Sequence, residues 1–447
     1  MNNKRTNMLQ TKHNMKRSYS MRYFSPLLLI SILFLPFVSP AAEPQRMCRL
    51  EGIVHDRPET REVLVLPANR DLLVSDYVVL PVEAGKFHGE IPIPVQPEVY
   101  QLVFREEIDE GDPKPVYFIP DKGTLRFQLY PSERHTENQV SGKGENKKLQ
   151  ALVAQRNRIF SSYDRITAGL YGKKLSPTYY TARFIELDSL LRNTFSEGGS
   201  LSGDLITEYN RMIQDSSCMT LSGLDAIREI DSLYEQSQKA LYAYIERNPS
   251  IGAYYLVRTD FNTTRPLLRT LAATAYTELF RKRYAEHPYT SDIETMISAR
   301  GVVPGSHVPD FTAPDIYGRI HRLSEEINGK VALINLWASW CAPSRSNGSA
   351  AIPLYYRFKN RGFTVVSVAR ERDDLSFARA QEEDRYPWLC LIDLKGENRI
   401  WERYGAPLDG GMQVLVDEKG TILAINPTIR ELLDLLNKKL PPNIPKR

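Results

Sequence analysis

The sequence predicts a multidomain α+β protein: an N-terminal β-sandwich, a helical middle, and a C-terminal α/β domain with a central mixed sheet flanked by helices. Three observations predict it. At 447 residues the chain exceeds one ordinary domain. Short apolar runs separated by turn residues fill 43–142, and the apolar spacing turns helical over 143–300. Strand and helix patterns then alternate over 301–447.

Composition is that of a folded chain, with 42% apolar and 25% charged residues. The net charge is only +4. Part of it lies in Lys4, Arg5, Lys12, Lys16, Arg17 and Arg22, ahead of any acid. The rest is near neutral, which excludes a nucleic-acid surface. The basic start leads into an apolar run over 26–38 and then the small residues Ser39, Ala41 and Ala42. That is the pattern of a secretory signal peptide over 1–42. Its apolar part, about 13 residues, falls short of the roughly 20 of a membrane span. Met21 offers a second start with a more compact signal, and an uncleaved anchor is the competing reading. Gln45, Arg46 and Met47 before Cys48 are not the small, apolar box that lipidation needs.

The expected location is therefore exported, in the periplasm or cell envelope. An oxidising space permits disulfides, and Cys48, Cys218, Cys341 and Cys390 allow three pairings that sequence cannot choose among. No cysteines have metal-ligand spacing, and the seven histidines do not cluster near them. No metal and no cofactor is expected.

Taken in order, 63–66, 77–80, 100–104, 116–119 and 125–129 read as strands. Ala84-Gly85, Pro92 with Pro94, 110–113 and 121–123 are the turn signals between them. Strands at this spacing without helices predict a small sandwich or barrel. Over 143–300, Leu149, Leu152, Val153, Phe160 and Tyr163 form one helical stripe. Phe184, Leu187, Leu191 and Phe195 form a second; Ile230, Leu233, Tyr234, Leu241, Tyr244 and Ile245 form a third. Asn248-Pro249 stops that helix and Ser250 can cap the next. The residues 198–200 read as a loop. Such stripes are core, and no catalytic constellation lies among them.

The last part centres on 331–344, VALINLWASWCAPS. Its first six residues are an apolar run broken only by Asn335, as in a strand buried on both faces. Cys341 follows at the start of a helix that Pro343 can open. Unpaired N–H groups at such a helix start favour a thiolate. Further strands are expected at 363–369, 412–417 and 421–425, with helices at 373–384 and 429–440 and a hairpin turn at 418–420.

Trp340-Cys341-Ala342-Pro343 resembles the W-C-x-P-C core of the thioredoxin superfamily, in particular the TlpA-like envelope thiol-disulfide oxidoreductases. The segment 309–312 (PDFT), Gly318, Leu323-Ser324 and Gly329-Lys330 are similar to the opening of those domains. The resemblance implies a thioredoxin-like domain over 301–447, preceded by a helical linker domain over 143–300. The segments 49–54, 85–89 (read as a hairpin), 118–123 and 140–146 resemble the β lead domain that often precedes it, here 43–142.

The match departs from the family at several places. Ser344 stands where the second cysteine belongs. Gly411 stands where a loop proline normally faces the cysteine, and Asp409-Gly410-Gly411 reads as a flexible loop that leaves substrate binding in doubt. Asn347 and Ser349 stand at the usual Glu and Pro places of the following helix, with Pro353 a turn later. Asn335 takes the place of the buried acid of thioredoxin itself. A dithiol reductase needs two sulfurs, so the expected chemistry is of monothiol type. Cys341 would be the nucleophile, and Ser344 would stabilise its thiolate by a hydrogen bond. Trp340, Ala342, Pro343, Gly410 and Gly411 would border the substrate. The partners implied are envelope proteins with thiols or disulfides and an external thiol reductant, with membrane contact only through the signal or anchor. Cys390 is a candidate resolving partner whose bland reading is apolar burial. Peroxiredoxin chemistry is set aside because the residues before Cys341 do not match. The competing class is a redox-inactive module that uses the thioredoxin surface for binding.

Overall fold

The computed structural model describes residues 46–172, 174–196, 202–407 and 410–440. The expected signal over 1–42 and the loop at 198–200 lie outside them.

The first region contains β1 (Met47–Val54), β2 (Glu62–Pro67), β3 (Val78–Pro81), β4 (Lys86–Pro92) and β5 (Tyr100–Phe104). A short helix α1 (Arg105–Asp109) follows, then β6 (Val116–Phe118), β7 (Gly123–Leu129) and β8 (Gln139–Val140). They form two four-stranded sheets, ordered β4-β1-β7-β8 and β3-β2-β5-β6. Alternation along β1 turns Cys48, Leu50 and Val54 inward. These join Phe87 and Phe127 of their own sheet and Val65, Phe104 and Phe118 of the other in one apolar core. Phe118 meets Phe127 edge-on, centroids 5.3 Å apart. The hairpin expected over 85–89 turns earlier: Ala84 and Gly85 hold φ of 48° and 71°, and Lys86 already belongs to β4. No pattern in the sequence signalled α1.

The middle is α2 (Gly144–Tyr171), α3 (Ala182–Ser196), α4 (Gly203–Gln214), α5 (Leu221–Arg247), α6 (Ile251–Asp260), α7 (Pro266–Ala275) and α8 (Pro288–Ala299). Ser250 Oγ accepts the Ala253 N–H and caps α6. The first and third stripes meet: Leu149, Leu152 and Phe160 of α2 share a core with Leu241 and Ile245 of α5. That core also takes in Val99 and Ile119 of the β region. The Asn146 side chain bonds both backbone groups of Ile119, so helix and sheet are joined by polar as well as apolar contacts. Phe184 and Leu187 pack separately, with Met212 and Cys218. No helix among the described residues is long and apolar enough to cross a membrane.

The last region runs β9 (Thr312–Pro314), β10 (Ile320–Arg322), α9 (Leu323–Glu326), β11 (Val331–Trp337) and α10 (Ala342–Phe358). It continues with β12 (Phe363–Glu371), α11 (Asp374–Asp384), β13 (Leu389–Leu394), α12 (Ile400–Tyr404), β14 (Met412–Val416), β15 (Ile422–Ile425) and α13 (Ile429–Lys439). The five-stranded sheet is ordered β13-β12-β11-β14-β15, with the first three parallel and the last two antiparallel. One face carries Phe358, Leu432 and Leu436 of α10 and α13. The other carries Ile400, Trp401 and Tyr404 of α12. Strand β13 and helix α12 were not anticipated. A six-residue buried run has no periodicity that separates strand from helix.

Candidate functional site

All seven residues of β11 are buried, because β12 and β14 flank it and helices cover both faces. The strand ends at Trp337, whose ring packs edge-on against Tyr386, 5.1 Å between centroids. The chain then turns: the Cys341 N–H donates to the Ala338 carbonyl at 3.1 Å. Cys341 is the N-cap residue of α10, extended at φ −99° and ψ 90°, and Pro343 lies in the first turn. The strand-to-helix junction expected at Cys341 is therefore where the residue sits.

Cys341 is only 3% exposed. It belongs to the apolar cluster that holds Leu336, Ala338, Ile400 and Trp401. Around it, Trp340 is 38% exposed, and Ala342 and Pro343 are exposed. Ser344 is buried, and its hydroxyl donates to the Cys341 carbonyl oxygen at 2.9 Å. It also accepts the Ala338 N–H at 3.3 Å. The expected donation to the sulfur is thus not the bond drawn; this hydroxyl ties the turn to the first helical residues.

Gly411 is buried at φ +67°, and a Cβ there would lie 2.4 Å from the Leu336 carbonyl oxygen and 2.8 Å from Ser344 Cβ. The structure thus brings Gly411 and Ser344 together beside Cys341. The loop end expected to be loose is closely packed, since only a residue without Cβ lets this backbone approach β11. Gly410 is half-buried, and Asp409 lies outside the described residues.

Sequence reasoning missed Glu371. It ends β12 and is 1% exposed. Its carboxylate accepts the Ser339 N–H and, at 2.7 Å, the Ser339 hydroxyl. Burial raises its pKa above the ordinary carboxylate value, and the two Ser339 bonds oppose that. Arg345 of α10 donates to the Ser339 carbonyl and pairs with Glu383 and Asp384 of α11. The turn before Cys341 is thereby pinned from two sides. The available signal was the charged Arg370-Glu371-Arg372 closing an apolar strand, where a parallel sheet places its sites.

Asn335 is a neutral buried amide, donating to Ser367 Oγ and accepting from Gln413 Nε2. None of the four cysteines is joined in a disulfide. Cys390 packs with Trp337, Phe358 and Trp388 on the face of the sheet opposite Cys341. Burial pushes its thiol up to about 12. A resolving role would need it to cross the sheet, so the bland reading of Cys390 holds. Burial also raises the thiols of Cys48 and Cys218.

Residues 304–425 match the AhpC/TSA family. The thiol-disulfide oxidoreductase ResA of Geobacillus kaustophilus is 27% identical over 160 residues, 36% of this chain and 80% of that protein. The thioredoxin-like protein YneN of Bacillus subtilis is 28% identical over 129 residues, 28% of this chain and 72% of that one. Among solved structures, the thioredoxin domain of a Bacteroides vulgatus thiol-disulfide oxidoreductase is 26% identical. It covers 31% of this chain and 98% of its own, with a TM-score of 0.29. The C-terminal region of this chain is a thioredoxin-like domain of the AhpC/TSA family, similar to the ResA-type thiol-disulfide oxidoreductases.

Proposed function

We propose that the C-terminal domain performs thiol–disulfide exchange through the single sulfur of Cys341. That sulfur attacks a substrate disulfide RS–SR′; a Cys341–S–S–R bond forms and R′S⁻ leaves. Ser344 offers no second sulfur, so an external thiol, small or protein-borne, completes the cycle. It attacks the R sulfur, forms a disulfide with it, and returns the electron pair to Cys341. The observation that carries this reading is the seat of Cys341 as N-cap of α10, at the end of a strand buried throughout its length. Exposed Trp340, Ala342 and Pro343, with Gly410 and Gly411, border the place a substrate would press. In the same reading the chain is exported to the periplasm or envelope. A β-sandwich lead over 43–142 and a helical linker over 143–300 carry the catalytic end, and envelope proteins with thiols or disulfides are its partners.

A second reading is favoured by the 3% exposure of Cys341: a redox-inactive module that binds a partner through the same surface. The discriminating experiment mixes the full-length protein with an aromatic disulfide that releases a coloured thiolate. Exchange predicts one equivalent released, none from Cys341→Ala, and turnover only when a thiol is added. Equal release from the two proteins overturns exchange and leaves the binding module. Ser344→Cys is expected to raise thiol-driven turnover at least about tenfold by supplying the resolving sulfur.

A further inference from the structure

A second cavity lies where the three regions meet, far in sequence from Cys341. It has a volume of about 210 Å³ and is lined by residues from the turn after β2, the segment before β5, α8, the end of β12 and α12. That is room for a small molecule rather than a single water. The lining carries five basic and four acidic side chains. Most are already paired: Arg370 with Asp71 and Glu402, and Arg258 and Arg399 with Asp292.

What is left over defines the ligand. Among the described residues, three buried side-chain atoms of the lining have no hydrogen-bond partner: Arg370 Nε, Asn69 Oδ1 and Glu402 Oε2. Arg370 is only 4% exposed. Gly396, at φ +65°, lies over its guanidinium, and a Cβ there would come within 3.3 Å of Nε. The absence of that Cβ leaves the donor uncovered. Glu98 lines the same cavity, and burial holds its carboxyl above the usual range. Exposed Arg70 stands on the lining and is the cation that most opposes that shift.

The leftover groups are therefore of both signs. Three acceptors (Glu98, Asn69 Oδ1 and Glu402 Oε2) suit an ammonium with several N–H bonds, and Arg70 with Arg370 Nε suits a carboxylate. A lining this close to neutral does not select an ion of one sign. We propose that this cavity binds a small α-amino acid zwitterion. Its ammonium lies toward Glu98 and Glu402, and its carboxylate toward Arg70 and Arg370. The buried atoms that lack partners gain them on binding, and Glu98 gains a counter-charge.

Isothermal titration of the full-length protein with glycine and L-alanine tests this, with acetate and methylammonium as the two half-ligands. The zwitterions are expected to bind with Kd of about 1 mM or tighter, at least about tenfold better than either half-ligand. Arg70→Gln and Glu98→Gln are each expected to weaken glycine at least about fivefold, since neither takes part in the paired network. Should Glu98→Gln fail to fold, Arg70→Gln on the exposed lining decides alone. Cys341→Ala is expected to bind glycine as the parent does, which keeps this site separate from the exchange reading. No heat from glycine or alanine up to about 20 mM overturns the proposal. So does binding of acetate or methylammonium as tight as that of glycine, or a glycine-soaked crystal with only water in the cavity.

Discussion

At the scale of single residues, the turn before Cys341 is held by a carboxylate that burial makes costly to ionise. Glu371 has a folded-state pKa above its unfolded value, so between the two values the folded chain holds the extra proton. Stability is therefore lost as pH rises through that window, and above it the ionised group costs stability outright. Glu371→Gln keeps an acceptor for the Ser339 N–H and a donor toward its hydroxyl, without the buried charge. It is expected to be more stable than the parent at pH 8, by on the order of 1 kcal/mol, and no more stable at pH 4. Glu371→Ala loses both bonds and is expected to cost about 2–3 kcal/mol and to speed alkylation of Cys341 as the turn loosens. Urea unfolding at the two pH values measures the first pair of effects. A Gln variant weaker than the parent at pH 8 would mean that Ser339 requires the charge. None of this was legible beforehand, because Ser339 and Glu371 sit 32 residues apart and no local pattern pairs them.

At the scale of elements, the strand, turn and helix around Cys341 were legible because each has a local cause. The apolar run of β11 needs cover on both faces, and Pro343 is suited to a first helical turn. The loop before β14 was not. Two adjacent glycines read as slack, whereas Gly411 is there because the backbone passes against the Leu336 carbonyl at positive φ. Composition records the glycine but not the neighbour that demands it. Gly411→Ala is expected to cost about 2–4 kcal/mol from the clash and the left-handed backbone together. Gly411→Pro costs more, because its ring fixes φ near −65°. Gly410→Ala, whose Cβ would meet only Pro407 at 3.6 Å, is expected to stay within about 1 kcal/mol. Thermal unfolding of the three variants checks the ranking. A Gly410 variant as damaged as the Gly411 one would show that the loop is constrained as a unit.

At the scale of the molecule, the regions are joined by charges that no sequence pattern could pair. Asp71 and Arg370 are 299 residues apart; both side chains are nearly buried, and Arg370 also reaches Glu402. Arg399 reaches across to Asp292 of α8. Lys395 pairs with Asp76 at the exposed edge of the same junction. A buried pair adds little over an apolar contact of the same shape, but removing one member strands the other without solvent. Arg370→Ala leaves two carboxylates uncompensated at the seam and is expected to cost about 3–5 kcal/mol. Because the loss falls between regions and not inside a core, it should appear as lost cooperativity. Calorimetry is expected to show the C-terminal region melting apart from the rest, giving two transitions in place of one. Lys395→Ala, on the exposed pair, is expected to leave the melting profile unchanged, since solvent screens what is lost. A single transition in Arg370→Ala, at the parent's temperature, would mean that the shared apolar core of helices and β region carries the junction without these charges.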